Sequence, residues 1–175
     1  MRLIKPFIIV IAGLFIVITL MSLLIPSKIK VSRATVINAP QDKILNQLTE
    51  LKNWKNWQPL FKSDAAKIIY SSPSNTAAAY CDITYQNKKV HLQVTSIDAA
   101  SIKFILTEDG EDNIENEIVL TPVKEQNNVQ VEWKALTIVP WYPWEKFYGI
   151  FIDKLTGPGY ETSLDALKLF VESSK

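Results

Sequence analysis

A single cysteine, Cys81, and a single histidine, His91, stand in a chain of 175 residues. One cysteine rules out a disulfide scaffold. One histidine with one cysteine cannot complete a zinc shell without carboxylates, so no metal and no cofactor is expected. Neither residue sits in a spacing that suggests a Cys/His or Ser/His/Asp arrangement, and no catalytic residue is assigned. His91 alternates with Val90 and Leu92 and on a strand faces away from them, toward solvent, while Cys81 reads as a small core residue. Charge of one sign is equally scarce. Nineteen Lys and Arg oppose 18 Asp and Glu, and no basic stretch exceeds pairs such as Lys88-Lys89, which argues against a nucleic-acid partner. No Asn-x-Ser/Thr acceptor, internal repeat or low-complexity segment occurs.

Long hydrophobic runs are limited to one. Phe7 to Ile25 is 19 residues without a charge, interrupted only by Gly13, Thr19 and Ser22. The 150 residues after position 25 contain 64 hydrophobic ones, or about 43%, which is ordinary for a water-soluble domain. As a helix, 19 residues span about 28 Å, close to the hydrocarbon thickness of about 30 Å. Pro6 and Pro26 bracket the run, and Arg2, Lys5, Lys28, Lys30 and Arg33 put charge at both ends. A cleaved signal peptide would have a shorter apolar region followed by a small-x-small site, whereas this run ends Met21-Ser22-Leu23-Leu24-Ile25-Pro26. The reading is an uncleaved single-pass anchor over residues 1–26, with residues 7–25 in the membrane. The flanking charges nearly balance, and the short tail ahead of the run tilts the orientation toward an extracytoplasmic domain.

Residues 27–30 form a connector, and a globular domain is expected over 31–175. Val31 to Ile37 reads as a first strand. Pro40 then suits the first helical position, Asp42 the positive end of a helix, and Ile44, Leu45, Leu48 and Leu51 its buried stripe. Pro59 prevents Asn53–Phe61 from continuing as regular helix. From about 66 to 139 the period is two, with strands expected at 66–71, 77–85, 88–97, 101–107, 114–123 and 128–138. Their short connections imply an antiparallel meander. After Pro140 the period is helical again: Trp144, Phe147, Tyr148, Phe151 and Leu155 form an aromatic stripe, and Tyr160, Leu164, Leu167 and Val171 continue it. Gly157-Pro158-Gly159 is expected to bend or break that helix, because Pro158 has no N–H to donate.

Strand-Asn38-Ala39-Pro40-helix, then Trp54-x-x-Trp57-x-Pro59, then Phe151-Ile152-Asp153-Lys154-Leu155-x-Gly157-Pro158-x-Tyr160-Glu161-x-x-Leu164-x-x-Leu167-Lys168, resembles the START-like (SRPBCC) superfamily. More narrowly, it resembles the bacterial polyketide cyclase/dehydrase and lipid transport branch. The resemblance covers residues 31–174. It implies an α+β helix-grip fold, a curved antiparallel sheet of about seven strands around a long C-terminal helix, with a cavity for a hydrophobic ligand. The chain departs from the branch at 70–90, where a glycine-rich turn is common and Thr76–Cys81 and Gln86–Lys89 carry no glycine.

Phe104, Leu120 and Trp133 on the sheet, with Tyr148, Phe151 and Leu155 on the last helix, are the expected cavity lining; a closed core would use the same residues. Trp54, Trp57 and Trp144 are candidates for the cavity entrance, though Trp54 and Trp57 also suit pinning of a loop. Trp141, Tyr142 and Trp144 suit a membrane interface or the packing of a helix start, the latter being the simpler expectation. Glu108, Asp109, Glu111, Asp112, Glu115 and Glu117 lack the spacing of a calcium loop and read as a solvated hairpin tip. The function expected is a membrane-anchored, non-catalytic module for a lipid or other hydrophobic small molecule. The alternatives are a cyclase/dehydrase-like enzyme using the same cavity, which would need a positioned acid/base pair, and an interaction domain with a filled core.

Overall fold

A computed structural model of the chain describes residues 4–110, 113–123 and 128–174. The apolar run forms α1 (Ile4–Ser22), long and apolar enough to cross a bilayer. From Phe7 to Leu20 its large apolar side chains are exposed, and only near its C-terminal end, at Ser22, is it buried. The chain passes almost directly from α1 into β1 (Lys28–Ile37). This strand begins three residues before the expected start, so most of the predicted connector at 27–30 is strand. Its pairing continues to Ser27, whose carbonyl accepts from Val139 N at 2.7 Å.

Next come α2 (Gln41–Thr49), a 3₁₀ turn over Leu51–Asn56 and α3 (Pro59–Lys62). Pro40 is the N-cap of α2 and not its first helical residue. Pro59 opens α3, and the Gln58 side chain caps it by accepting from Leu60 N and Phe61 N. Six strands follow: β2 (Lys67–Tyr70), β3 (Tyr80–Tyr85), β4 (Lys88–Asp98), β5 (Ser101–Glu108), β6 (Ile114–Val123) and β7 (Asn128–Ile138). All pairs are antiparallel in the order β1-β7-β6-β5-β4-β3-β2. The glycine-free β3–β4 turn is closed by Gln86 and Asn87, both at positive φ (48° and 67°), which keeps Tyr85 opposite Lys88.

The chain ends in α4 (Pro143–Gly149) and α5 (Ile152–Ser173). The expected break at Gly157-Pro158-Gly159 does not occur; α5 runs through Pro158, and the interruption falls at Ile150–Phe151 instead. A proline inside a helix costs about 3 kcal/mol. Burying Leu164, Leu167 and Val171 of the same helix returns about 1.5–3 kcal/mol each, so packing outweighs the proline. Two contacts tie α5 to the rest. Arg33 of β1 forms a two-pronged ion pair with Asp153 (3.0 and 3.2 Å). At the other end Lys43 of α2 donates to the carbonyls of Val171 (2.9 Å) and Ser174, placing a cation where helix carbonyls lack partners. Gly157 is needed beneath the first contact, since a Cβ there would lie 2.1 Å from Arg33 Nη2.

Candidate ligand cavity

The inner face of the sheet and α5 do not fill the space between them. A cavity of about 220 Å³ remains, walled by Trp54, Leu60 and Phe61, by Ile83, Val90, Leu92 and Leu106 of β3–β5, by Trp133 of β7, and by Thr156, Gly159, Tyr160 and Ser163 of α5. Positions 156, 159, 160 and 163 follow helical spacing and thus share one face of α5. The strand ends carrying Val90 and Leu106 connect in register, through Ile114 of β6 and Thr137 of β7, to the Lys28 end of β1, where α1 joins the domain. The opposite end is closed by Ile37, Ile44, Leu48, Leu120, Val129, Leu167 and Val171.

The lining is apolar apart from four side chains, three of which bond to backbone. Gln58 caps α3, Thr156 Oγ1 donates to Ile152 O at 2.9 Å and Ser163 Oγ to Gly159 O at 2.8 Å. Tyr160 is the titratable one, and burial raises its phenol above the usual range, so it stays protonated at neutral pH. The walls are stiffened by a chain of rings: Trp54 lies 5.3 Å from Phe104 and 5.4 Å from Phe61, and Trp133 5.9 Å from Phe104 and 5.2 Å from Tyr160. Each indole in this cluster has a protein acceptor: Trp54 Nε1 donates to Leu48 O (2.8 Å), Trp57 Nε1 to Gln47 O (3.3 Å) and Trp133 Nε1 to Asn116 Oδ1 (2.9 Å). Satisfied in this way, the rings are held in single orientations.

No protein-family model and no curated protein matches the sequence. Solved structures do match. A START superfamily protein from Mycobacterium smegmatis is similar over 84% of this chain and 99% of its own, at 15% identity and a TM-score of 0.63. Truncated norcoclaurine synthase from Thalictrum flavum is similar over 85% and 96%, at 16% identity and a TM-score of 0.65. CalU16 from Micromonospora echinospora is similar over 82% and 76%, at 14% identity and a TM-score of 0.57. The chain has a START-like, helix-grip fold.

Within this START-like framework the residues expected at the site separate. Trp133 lines the cavity, and so does Trp54. Phe104 and Leu120 are buried in the same core without lining it, Phe104 backing the wall through Trp54 and Trp133. Trp57 is buried behind Trp54, 5.2 Å away. Tyr148, Phe151 and Leu155 do not face the sheet: they are 55%, 54% and 60% exposed, and Trp144 of α4 is 61% exposed. The expected stripe assumed one continuous helix. The interruption at Ile150–Phe151 rotates the series, and the buried positions are Pro143, Lys146 and Gly149, followed by Ile152. Hydropathy hides that series because it contains a lysine and a glycine. The α5 part of the lining was legible only as Tyr160 flanked, at helical spacing, by the small residues Gly159 and Ser163.

Two further depressions lie on the outer face of the sheet. The larger, about 510 Å³, is edged by Lys30, Lys103, Glu115, Glu117 and Lys134, whose charges offset one another: Glu117 sits 3.5 Å from Lys103 and 3.7 Å from Lys134. The other holds His91, whose Nδ1 is 2.6 Å from Asp82 Oδ1 on the solvent side of β4, as the strand parity predicts. Among the described residues no cluster of His, Cys, Asp and Glu is arranged to hold a metal ion. Glu111 and Asp112 of the acidic hairpin lie outside the described residues.

Proposed function

We propose that this chain is a membrane-anchored module that takes up a hydrophobic ligand, or the apolar part of a lipid, without covalent chemistry. Residues 1–26 are its anchor, and the START-like domain that follows is the binding unit. The observation that carries the reading is the apolar cavity at the end of the sheet where α1 enters. At about 220 Å³ it is smaller than the roughly 300–1,000 Å³ of common ligand sites, which suits one acyl segment or a small apolar molecule better than a whole lipid. Tyr160 supplies a neutral hydroxyl as a polar partner for a ligand head. A cyclase-like reaction would need an acid/base pair, and the lining offers no carboxylate, histidine or amine to form one.

The test is native mass spectrometry with organic extraction of the full chain purified in detergent. A co-purifying apolar molecule is the expected result, released when the cavity is blocked by Gly159→Leu. A chain that carries nothing in any preparation, and whose tryptophan emission is unchanged by titration with medium-chain fatty acids, overturns the reading.

A further inference from the structure

The tryptophans of the chain differ in what covers them. Trp54, Trp57 and Trp133 are buried, whereas Trp141, Trp144, Tyr148, Ile150, Phe151 and Leu155 all stand exposed within 15 residues. Three rings at the start of this stretch lie against one another: Tyr142 stacks on Trp144 at 5.2 Å with planes 5° apart and meets Trp141 at 5.0 Å. Six large apolar side chains exposed together within one 15-residue stretch mark an interaction surface.

The opposite side of α4 determines where that face lies. Lys146 is buried, and its ammonium donates to the carbonyl of Ile25 at 2.9 Å and to Ser27 Oγ. Gly149 allows the close approach, since a Cβ there would lie 2.6 Å from Ile29 Cδ1. The α4 helix is thus clamped to the residues that directly follow α1, with no linker between them. If α1 spans a bilayer, its end fixes the height of α4 at the headgroup layer, where tryptophan and tyrosine are favoured because one end of the ring system is apolar and the other can stay wet.

We infer that the Trp141–Leu155 surface is seated in the lipid headgroup region, making a second contact with the bilayer beside α1. This rests on the anchoring reading above and adds to it a fixed tilt of the domain. With two contacts the domain cannot swivel on its anchor, and the end of the sheet that holds the cavity is kept against the membrane, so that an apolar ligand enters without crossing water.

The test uses the full chain reconstituted in phosphatidylcholine vesicles containing one quarter phosphatidylglycerol, with lipids brominated at shallow or deep acyl positions. Trp141 and Trp144 are two of the five tryptophans, so the quenchable share of emission is limited to these two. Shallow bromines are expected to quench that share and deep bromines less, and W141A/W144A is expected to lose the quenching while keeping its far-UV circular dichroism. Flotation of the vesicles is read in parallel. Protein that floats but shows no bromine quenching, or the same quenching in W141A/W144A, overturns this inference and leaves the anchor intact. A doubled mass in detergent would then assign the face to a second copy of the chain. Protein that does not float overturns the anchor, and the inference with it.

Discussion

Gly159→Leu separates a cavity that serves binding from one left over by packing. A Cβ built at Gly159 meets no heavy atom within 4 Å, and the residue shares its helix face with Thr156, Tyr160 and Ser163, all of which line the cavity. Four added carbons, each taking about the 30 Å³ that one water molecule occupies in the liquid, occupy about 120 Å³. That is more than half of the 220 Å³ present. Replacing glycine within a helix also gains about 0.8 kcal/mol of propensity, and because Gly159 stands exposed at the edge of the cavity, the new side chain meets no neighbour that must move. Stability should therefore rise by about 1 kcal/mol, raising the melting temperature by about 2–4 °C for a domain of this size. Ligand affinity should fall at least tenfold, a change of about 1.4 kcal/mol. Far-UV circular dichroism during heating reads the first effect and a tryptophan-fluorescence titration the second. Gly159→Ala, with one carbon, should gain the stability and keep most of the affinity. A Leu variant that melts lower than the natural chain, or binds unchanged, would refute the reasoning, because the space would then be either absent or irrelevant.

Other expectations follow from single contacts. Asn116→Leu strips Trp133 of its buried acceptor and should cost about 1–3 kcal/mol; in a double-mutant cycle with Trp133→Phe the two losses should be non-additive by more than about 0.5 kcal/mol, and additive losses would mean the bond orients nothing. Burial, then nearby Asp82, pushes the Cys81 thiol up to about 12, so iodoacetamide at pH 8 should leave the folded chain unlabelled and modify it only after unfolding; rapid native labelling would contradict the placement. The Asp153 carboxyl is held below its usual value by the Arg33 guanidinium. Because the folded value is the lower one, the pair stabilises above the ordinary carboxylate range, about pH 4, and its contribution disappears as pH falls through the lowered value. Asp153→Asn should thus melt lower than the natural chain at pH 7, with the gap closing in acid; a gap independent of pH would show that the charge is not what matters. Ala78 sits at φ 79°, so Ala78→Gly should relieve about 1 kcal/mol of left-handed strain, less the added flexibility of the unfolded chain, read as a raised urea midpoint.

Five of the seven strands were legible in the sequence to within a residue at each end, since each is a period-two run bounded by turn chemistry; β1 starts three residues earlier than expected, and β3 three residues later, after Ala78 at positive φ. The parity of β4 placed Val90 and Leu92 inside, where both line the cavity, and His91 outside, where its ring meets Asp82 on the solvent side. The end of the chain was less legible. Tyr148, Phe151 and Leu155 have helical spacing and large apolar side chains, which is what a buried stripe looks like, yet they lie on the exposed side of a helix interrupted at Ile150–Phe151. Pro158 looked like the break because its missing N–H is visible in the sequence, whereas the packing that carries α5 through it is not.

By itself the sequence determined which stretches form strands and which run is apolar enough to cross a bilayer. These properties depend on neighbours a few residues apart. Only the tertiary structure decided which of two equally aromatic helix faces is buried, that a lysine at 146 belongs inside against the end of α1, and that Gly159 borders a void. Such choices depend on how whole elements meet, and the free energy of burying a face is the same in the sequence for a ring that lands against the sheet and one that lands in water.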